Sequence, residues 1–100
     1  MGEGIKYDEG KVMVELVPFE AVEDLALIYE YGIQKGYPRN NWKKGMRWGR
    51  VFAACLRHLF AFWRKSDIDF ESGRSHLLHA LWNITTLYWY WKHSVGEDDR

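Results

Sequence analysis

The stretch from about Ser72 to His93 constrains this chain more than any other. Leu77, Leu78, Leu81, Trp82, Ile84, Leu87, Tyr88, Trp89 and Trp91 would cover most of the circumference of a helix there. A helix that is apolar nearly all round must be buried nearly all round. Yet His76, His79, Asn83, Thr86 and Tyr90 fall on one line of the same helix, at spacings of three, four, three and four. A polar group placed in a core without a partner costs roughly 1–3 kcal/mol. The line must therefore meet a neighbouring polar helix, a ligand, a metal or another subunit. Histidines satisfied by their own neighbours are the plain structural alternative.

Upstream, two more segments read as helices. After Pro18, the residues Val22, Leu25, Ala26, Ile28 and Tyr29 share one face, and Glu20, Glu23, Leu27 and Glu30 share the other, with Gly32 and Gly36 as stops. A second helix is predicted from about Met46 to Lys65, rich in core residues such as Val51, Cys55, Leu56 and Leu59. Arg47, Arg50, Ala54 and Arg57 lie along one stripe of it. Between them Gly36–Gly45 reads as a loop, and the acidic run SDIDFESG reads as a second, with Asp69 or Ser72 as the cap of the last helix. Val12, Val14 and Leu16 alternate with Met13, Glu15 and Val17, but one strand has nothing to pair with. Residues 1–17 are therefore expected to lie as an extended arm on the body, and residues 95–100 to fray. The expected fold class is all-α: one domain over residues 1–100, three main helices and an N-terminal arm.

Length and charge remove several classes of function. A chain of 100 residues builds one core, and 47% hydrophobic with 28% charged residues argues against wholesale disorder. With 14 cationic and 14 acidic residues the net charge is zero, so neither a nucleic acid polymer nor an anionic membrane is an expected partner. Cys55 is the sole cysteine, which excludes an internal disulfide and reads as a buried hydrophobe. No leader-like or membrane-spanning stretch is evident, so a soluble, cytoplasmic protein is expected. Aromatic side chains reach 17%. The run Tyr88-Trp89-Tyr90-Trp91 points in most directions from a helix end, more than a small monomer can cover, so a homo-oligomer is expected.

Four constellations can carry chemistry. Glu20 and Glu23 are three apart on a helix and can share a divalent cation; a solvated acidic face is the alternative. Asp67, Asp69 and Glu71 alternate along a loop, able to hold Mg²⁺ or to compensate a helix dipole. Half of the chain's 14 cations fall between Lys35 and Arg57, interleaved with Asn41, Trp42 and Trp48. Cations bind phosphate oxygens and a tryptophan ring stacks on a base. His58 joins His76, His79 and Asn83 in the fourth, where two histidines three apart can chelate a metal. There is no GxxxxGK[ST], GxGxxG, HExxH, CxxC pair, EF-hand loop or His-Asp doublet.

These residues occur in an order that is itself informative. Leu16-Val-Pro18, Glu20-Ala-Val-Glu23, Asn41-Trp42-Lys-Lys-Gly45-Met46-x-Trp48, Arg57-His58-Leu59, Asp67-x-Asp69-x-Glu71-Ser-Gly73 and His76-Leu-x-His79-Ala80-x-x-Asn83 follow one another. The set resembles the phage dATP/dGTP diphosphohydrolase N-terminal domain family, over about residues 5–90. Lys65-Ser66 stands where that family often carries Gly-Glu.

The resemblance implies a MazG-like helical bundle and Mg²⁺-dependent cleavage of a purine dNTP to dNMP and pyrophosphate, in a host cytoplasm if phage-encoded. It places Glu20 and Glu23 as the first carboxylate pair. His76, His79 and Asn83 stand on the helix where the wider superfamily has its second. The expected roles are catalysis by Glu20, Glu23 and His79, and metal binding by Glu20, Glu23, Asp69 and Glu71. Nucleotide binding falls to Lys35, Asn41, Trp42, Lys44, Trp48, Arg50, Arg57, His58, His76 and Asn83. The alternative function, from a different class, is capture of a nucleotide or cyclic-nucleotide signal without cleavage, to counter host defence signalling.

Overall fold

The computed structural model describes residues 2–100. Its helices are α1 (Phe19–Gln34), α2 (Trp48–Trp63) and α3 (His76–His93), with short 3₁₀ turns at Val14–Leu16 and Asn41–Lys44. Among the described residues there is no strand, only two isolated bridges, Arg47–Glu97 and Ile68–Ser75. The all-α expectation of three main helices holds. α3 packs chiefly on α2 and less extensively on α1. Among the described residues no helix is long and apolar enough to cross a membrane.

Helix ends follow local chemistry. α1 closes with Gly36 at φ +106, its N–H donating to Ile33 O while the Tyr37 N–H donates to Gly32 O. This pair of bonds is the Schellman stop that a glycine beyond the last turn favours. α2 closes the same way, with Lys65 N–H to Phe62 O and Ser66 N–H to Ala61 O. There the left-handed position is held by Lys65, at φ +70.

α3 starts later than the sequence implies. Ser75, not Asp69 or Ser72, is its cap, accepting the Leu77 N–H at 3.1 Å. Residues 67–75 instead close on themselves: Asp69 N–H donates to Arg74 O at 2.8 Å and His76 N–H to Asp67 O at 2.9 Å. Asp69 accepts the Ser72 N–H and Ser72 Oγ accepts the Arg74 N–H inside this turn, which is the usual way such side chains compete with a helix.

Both chain ends differ from expectation. The arm does not lie on the body: residues 2–20 are all exposed, including Tyr7 and Val12. Its projection raises the radius of gyration to 17.2 Å, against about 13 Å for a compact chain of this length. The last residues, by contrast, are docked. Trp48 N–H donates to Glu97 O at 2.9 Å, Trp48 Nε1 to Val95 O at 2.8 Å, and Gly49 N–H to Asp99 Oδ1 at 2.8 Å. α2 has no side-chain cap from its own neighbours, so Asp99 caps its N-terminus from the far end of the chain. Glycine permits this approach. A Cβ at Gly45 would stand 2.8 Å from Gly96 N, and one at Gly96 would collide with the Met46 carbonyl.

The core is small: Ile28, Val51, Cys55, Ala80 and Tyr90, with Asn83 and Thr86 among them. Cys55 is buried as expected, its thiol donating weakly to Ala80 O at 3.7 Å and raised in pKa by that burial. The polar line of α3 thus runs through the core. Asn83 Nδ2 donates to His79 O at 2.8 Å, and Tyr90 donates to the Trp42 carbonyl at 2.5 Å. Thr86 Oγ1 is buried without a hydrogen bond of good geometry. The Tyr29 phenol is raised in pKa by burial, and the nearby Thr86 hydroxyl only partly offsets that.

A buried hydroxyl that lacks a partner costs more than the methyl that would replace it. Thr86→Val should therefore raise unfolding stability by about 1 kcal/mol, read from urea denaturation. Destabilisation would show that the hydroxyl has a partner.

Candidate active site

A cleft of about 950 Å³ opens between the C-terminal half of α1, the 37–42 loop, one face of α2 and the start of α3. The size lies in the range of small-molecule sites. Each wall has its own chemistry. Lys35, Arg39, Arg50 and Arg57 bring positive charge, while Glu30, Asp69 and Glu71 bring carboxylates. Tyr29, Tyr31, Trp42 and Trp82 form an aromatic wall.

Trp42 owes its place to packing on three sides. Its ring lies 5.6 Å from Tyr29, 5.0 Å from Trp89 and 6.4 Å from Tyr90, centroid to centroid. The Lys43 ammonium stands over both Trp42 and Trp89, at 5.7 and 5.8 Å. Tyr90, fully buried, fixes the Trp42 backbone from beneath.

The histidines gather at the opposite end. His58 from α2 stacks on His79 of α3 with centroids 4.7 Å apart and planes 13° off parallel. His58 Nδ1 lies 2.8 Å from His76 Nδ1. His79 Nε2 lies 2.6 Å from Ser72 Oγ, which also accepts the Arg74 N–H. Ser72 Oγ has a second acceptor site as well as its own proton, so this bond runs in either direction according to the His79 tautomer. Asp69 accepts the Ser72 N–H through Oδ1 at 3.0 Å.

Electrostatics sharpen the contrast. His58 is pushed below the usual imidazole range by burial, then by the charges of His79 and His76. Burial likewise lowers His79, although Asp69 works against it. For Asp69, burial acts to raise the pKa, but it is outweighed by the Ser72 N–H, His79 and the Glu71 N–H, and the net shift is downward. At neutral pH the site thus holds uncharged imidazoles beside an ionised carboxylate.

The structure brings together most, not all, of the expected residues. Lys35, Asn41, Trp42, Arg50, Arg57, His58, Asp69, Glu71, His79 and Asn83 line the cleft. Lys44, Trp48 and His76 do not. Trp48 faces a separate apolar groove and spends its indole N–H on Val95 O, with the Arg100 guanidinium 5.0 Å over its ring. Lys44 is exposed on the 3₁₀ turn. His76 sits behind the wall, against His58.

Glu20 and Glu23 are exposed and stand outside the cleft. α1 reaches the cleft through residues 28–35, and Glu20 lies ten residues before Glu30, about 15 Å along the helix axis. A four-carboxylate magnesium site of Glu20, Glu23, Asp69 and Glu71 is therefore not assembled. Of those four, only Asp69 and Glu71 line the cleft, where Glu30 joins them. Sequence reasoning missed the cleft residues Tyr29, Glu30, Tyr31 and Trp82, and it read Ser72 only as a cap. No motif marks Ser72, since its role depends on the closed 67–75 turn.

The comparisons with known proteins agree on one group. All 100 residues match the family described as "dATP/dGTP diphosphohydrolase, N-terminal". A Salmonella phage PMBT28 protein named dATP/dGTP diphosphohydrolase is 33% identical over 97 residues, which is 97% of this chain and 33% of the relative. The chain thus spans about a third of that relative's length. No solved structure matches.

The lowered histidines carry a pH signature. Their unfolded value is about 6.5, so on acidification the unfolded chain takes up protons before the folded one. Stability should be full above about pH 6.5 and fall as pH drops through the folded values. Urea titrations of chelator-treated protein between pH 7 and 5 check this. His58→Gln should flatten the decline; an equal decline in that variant would assign it to other groups.

Proposed function

The chain belongs to the dATP/dGTP diphosphohydrolase N-terminal family, and on that premise we propose that its cleft binds a purine deoxynucleoside triphosphate and hydrolyses it to dNMP and pyrophosphate. The observation that carries this reading is the joint lining of one cleft by Lys35, Arg50 and Arg57, by Asp69 and Glu71, and by Trp42 and Tyr29. In this reading the cations bind the triphosphate, with the arginines offering forked donors. The aromatic wall and Asn41 receive the base. Asp69 and Glu71 meet the magnesium that travels with the phosphates, which would neutralise charge at the reacting phosphorus. His79, uncharged and donating its Nε2–H to Ser72 Oγ, takes the proton of the attacking water on Nδ1.

Incubation with dGTP or dATP and Mg²⁺, followed by phosphorus NMR, tests this directly. Pyrophosphate and dNMP should appear. Arg57→Ala should lower kcat/KM by about 100-fold. Inorganic phosphate as the product, or no turnover and no binding, would overturn the reading. Capture without cleavage is the second reading, favoured by the position of Glu20 and Glu23 outside the cleft. It predicts bound nucleotide recovered intact.

A homo-oligomer is part of the same proposal. Its support is the apolar groove of about 570 Å³ formed by Trp48, Phe52, Ile84, Leu87, Tyr88 and Trp91. Four of these rings and chains are more than half exposed: Phe52 55%, Ile84 52%, Tyr88 57% and Trp91 60%. A monomer rarely leaves so continuous an apolar face in water. Light scattering should give a mass above 11.9 kDa, and Trp91→Glu should lower it; a monomeric parent would refute the point.

A further inference from the structure

Among the described residues, one group of metal-ligating side chains converges. One ligand atom from each of His58, Asp69 and His76 lies within 4.8 Å of the other two. α2 supplies the first, the 67–75 turn the second and the first turn of α3 the third. We infer that His58, Asp69 and His76 form a binding site for a divalent first-row transition ion, distinct from the magnesium that accompanies a nucleotide. The site shares Asp69 with the magnesium placement of the nucleotide reading, but its two histidines are its own and its test needs no nucleotide.

The donor set selects the class of ion. Two imidazoles and one carboxylate suit Mn²⁺, Fe²⁺, Co²⁺ or Zn²⁺, whereas Mg²⁺ prefers oxygen ligands alone. The spacing agrees. His58 Nδ1 and His76 Nδ1 are 2.8 Å apart, close to the edge of about 3.0 Å that two nitrogens make when each is about 2.1 Å from one octahedral ion. In the metal-free protein one proton can bridge these nitrogens; an ion would replace it.

The surroundings are those of a supported metal site. Asp69 Oδ1 accepts the Ser72 N–H, which orients the carboxylate. His79 stacks on His58 and is itself held by Ser72. His58 and Asp69 also line the cleft, so open coordination positions would face the place where Arg57 and Lys35 attract an anion. A bound ion could then take a phosphate oxygen or a water from the cleft side.

Cobalt is the probe, because Co²⁺ bound to nitrogen ligands absorbs in the visible. Chelator-treated full-length protein is titrated with CoCl₂ by absorbance and by calorimetry, with millimolar MgCl₂ present and no nucleotide. One Co²⁺ per chain should bind and resist magnesium. His58→Gln, His76→Gln and Asp69→Asn should each weaken it by about 100-fold, and Ser72→Ala by about 10-fold. His93→Gln, at the far end of α3, should leave it unchanged. Circular dichroism confirms that each variant is folded, and Asp69→Asn is the most conservative of them. Absence of a visible band, displacement by magnesium, or binding unchanged in folded His58→Gln or Asp69→Asn would overturn the site. Failure here would leave pyrophosphate release untouched, and failure of turnover would leave cobalt binding untouched.

Discussion

Tyr90 is fully buried near the end of α3, and its hydroxyl donates to the backbone carbonyl of Trp42, 48 residues away in sequence. That bond satisfies the last polar member of the line along α3. It also pins the loop between α1 and α2 against the helix pair, and with it the Trp42 ring that forms one wall of the cleft. Without it a carbonyl and a phenol would both be stranded in a small core, at a cost of roughly 1–3 kcal/mol each. The place of Trp42 against Tyr29 of α1 and Trp89 of α3 follows from this anchor, since a free loop could not position its ring.

The other end of the polar line does different work. His76 and His79 leave the core where α3 begins, and meet His58 and the closed 67–75 turn. Three imidazoles sit together there, two of them lowered in pKa by burial and by their neighbours. They face an aspartate whose charge is stabilised by N–H donors. Uncharged nitrogen lone pairs beside a carboxylate are poised to receive a proton or a metal ion. Lys35, just past the end of α1, and Arg50 and Arg57 of α2 line the same cleft. One helix thus links the buried anchor at Tyr90 to the histidine cluster at His79 through the spacing of its polar residues.

That spacing was legible in the sequence, and so were three helices with boundaries good to a few residues at α1 and α2. Their periodicity is local, and local patterns are what a sequence displays. The partners of the polar line were not legible. One is a backbone carbonyl in a loop, one a serine in a turn, and neither has a sequence signature. The start of α3 was misplaced because Asp69 and Ser72 look like caps yet bond within their own turn. The tail was expected to fray because it is polar. It docks because Gly45 and Gly96 let two backbones touch and because α2 lacks a cap that Asp99 supplies. Of the expected site, Lys35, Arg50, Arg57, His58 and His79 share the cleft, Lys44 and His76 fall outside it, and Glu20 and Glu23 share only a face of α1. A helix wheel shows direction around an axis, not distance along it.

The central claim is that the cations, the carboxylates of the 67–75 turn and the aromatic wall serve one ligand. A crystal structure with Mg²⁺ and a non-hydrolysable dGTP analogue tests it most directly. The account predicts the triphosphate against Lys35, Arg50 and Arg57 and the base against Trp42. A nucleotide seated elsewhere, or a cleft left empty at saturating ligand, would contradict it.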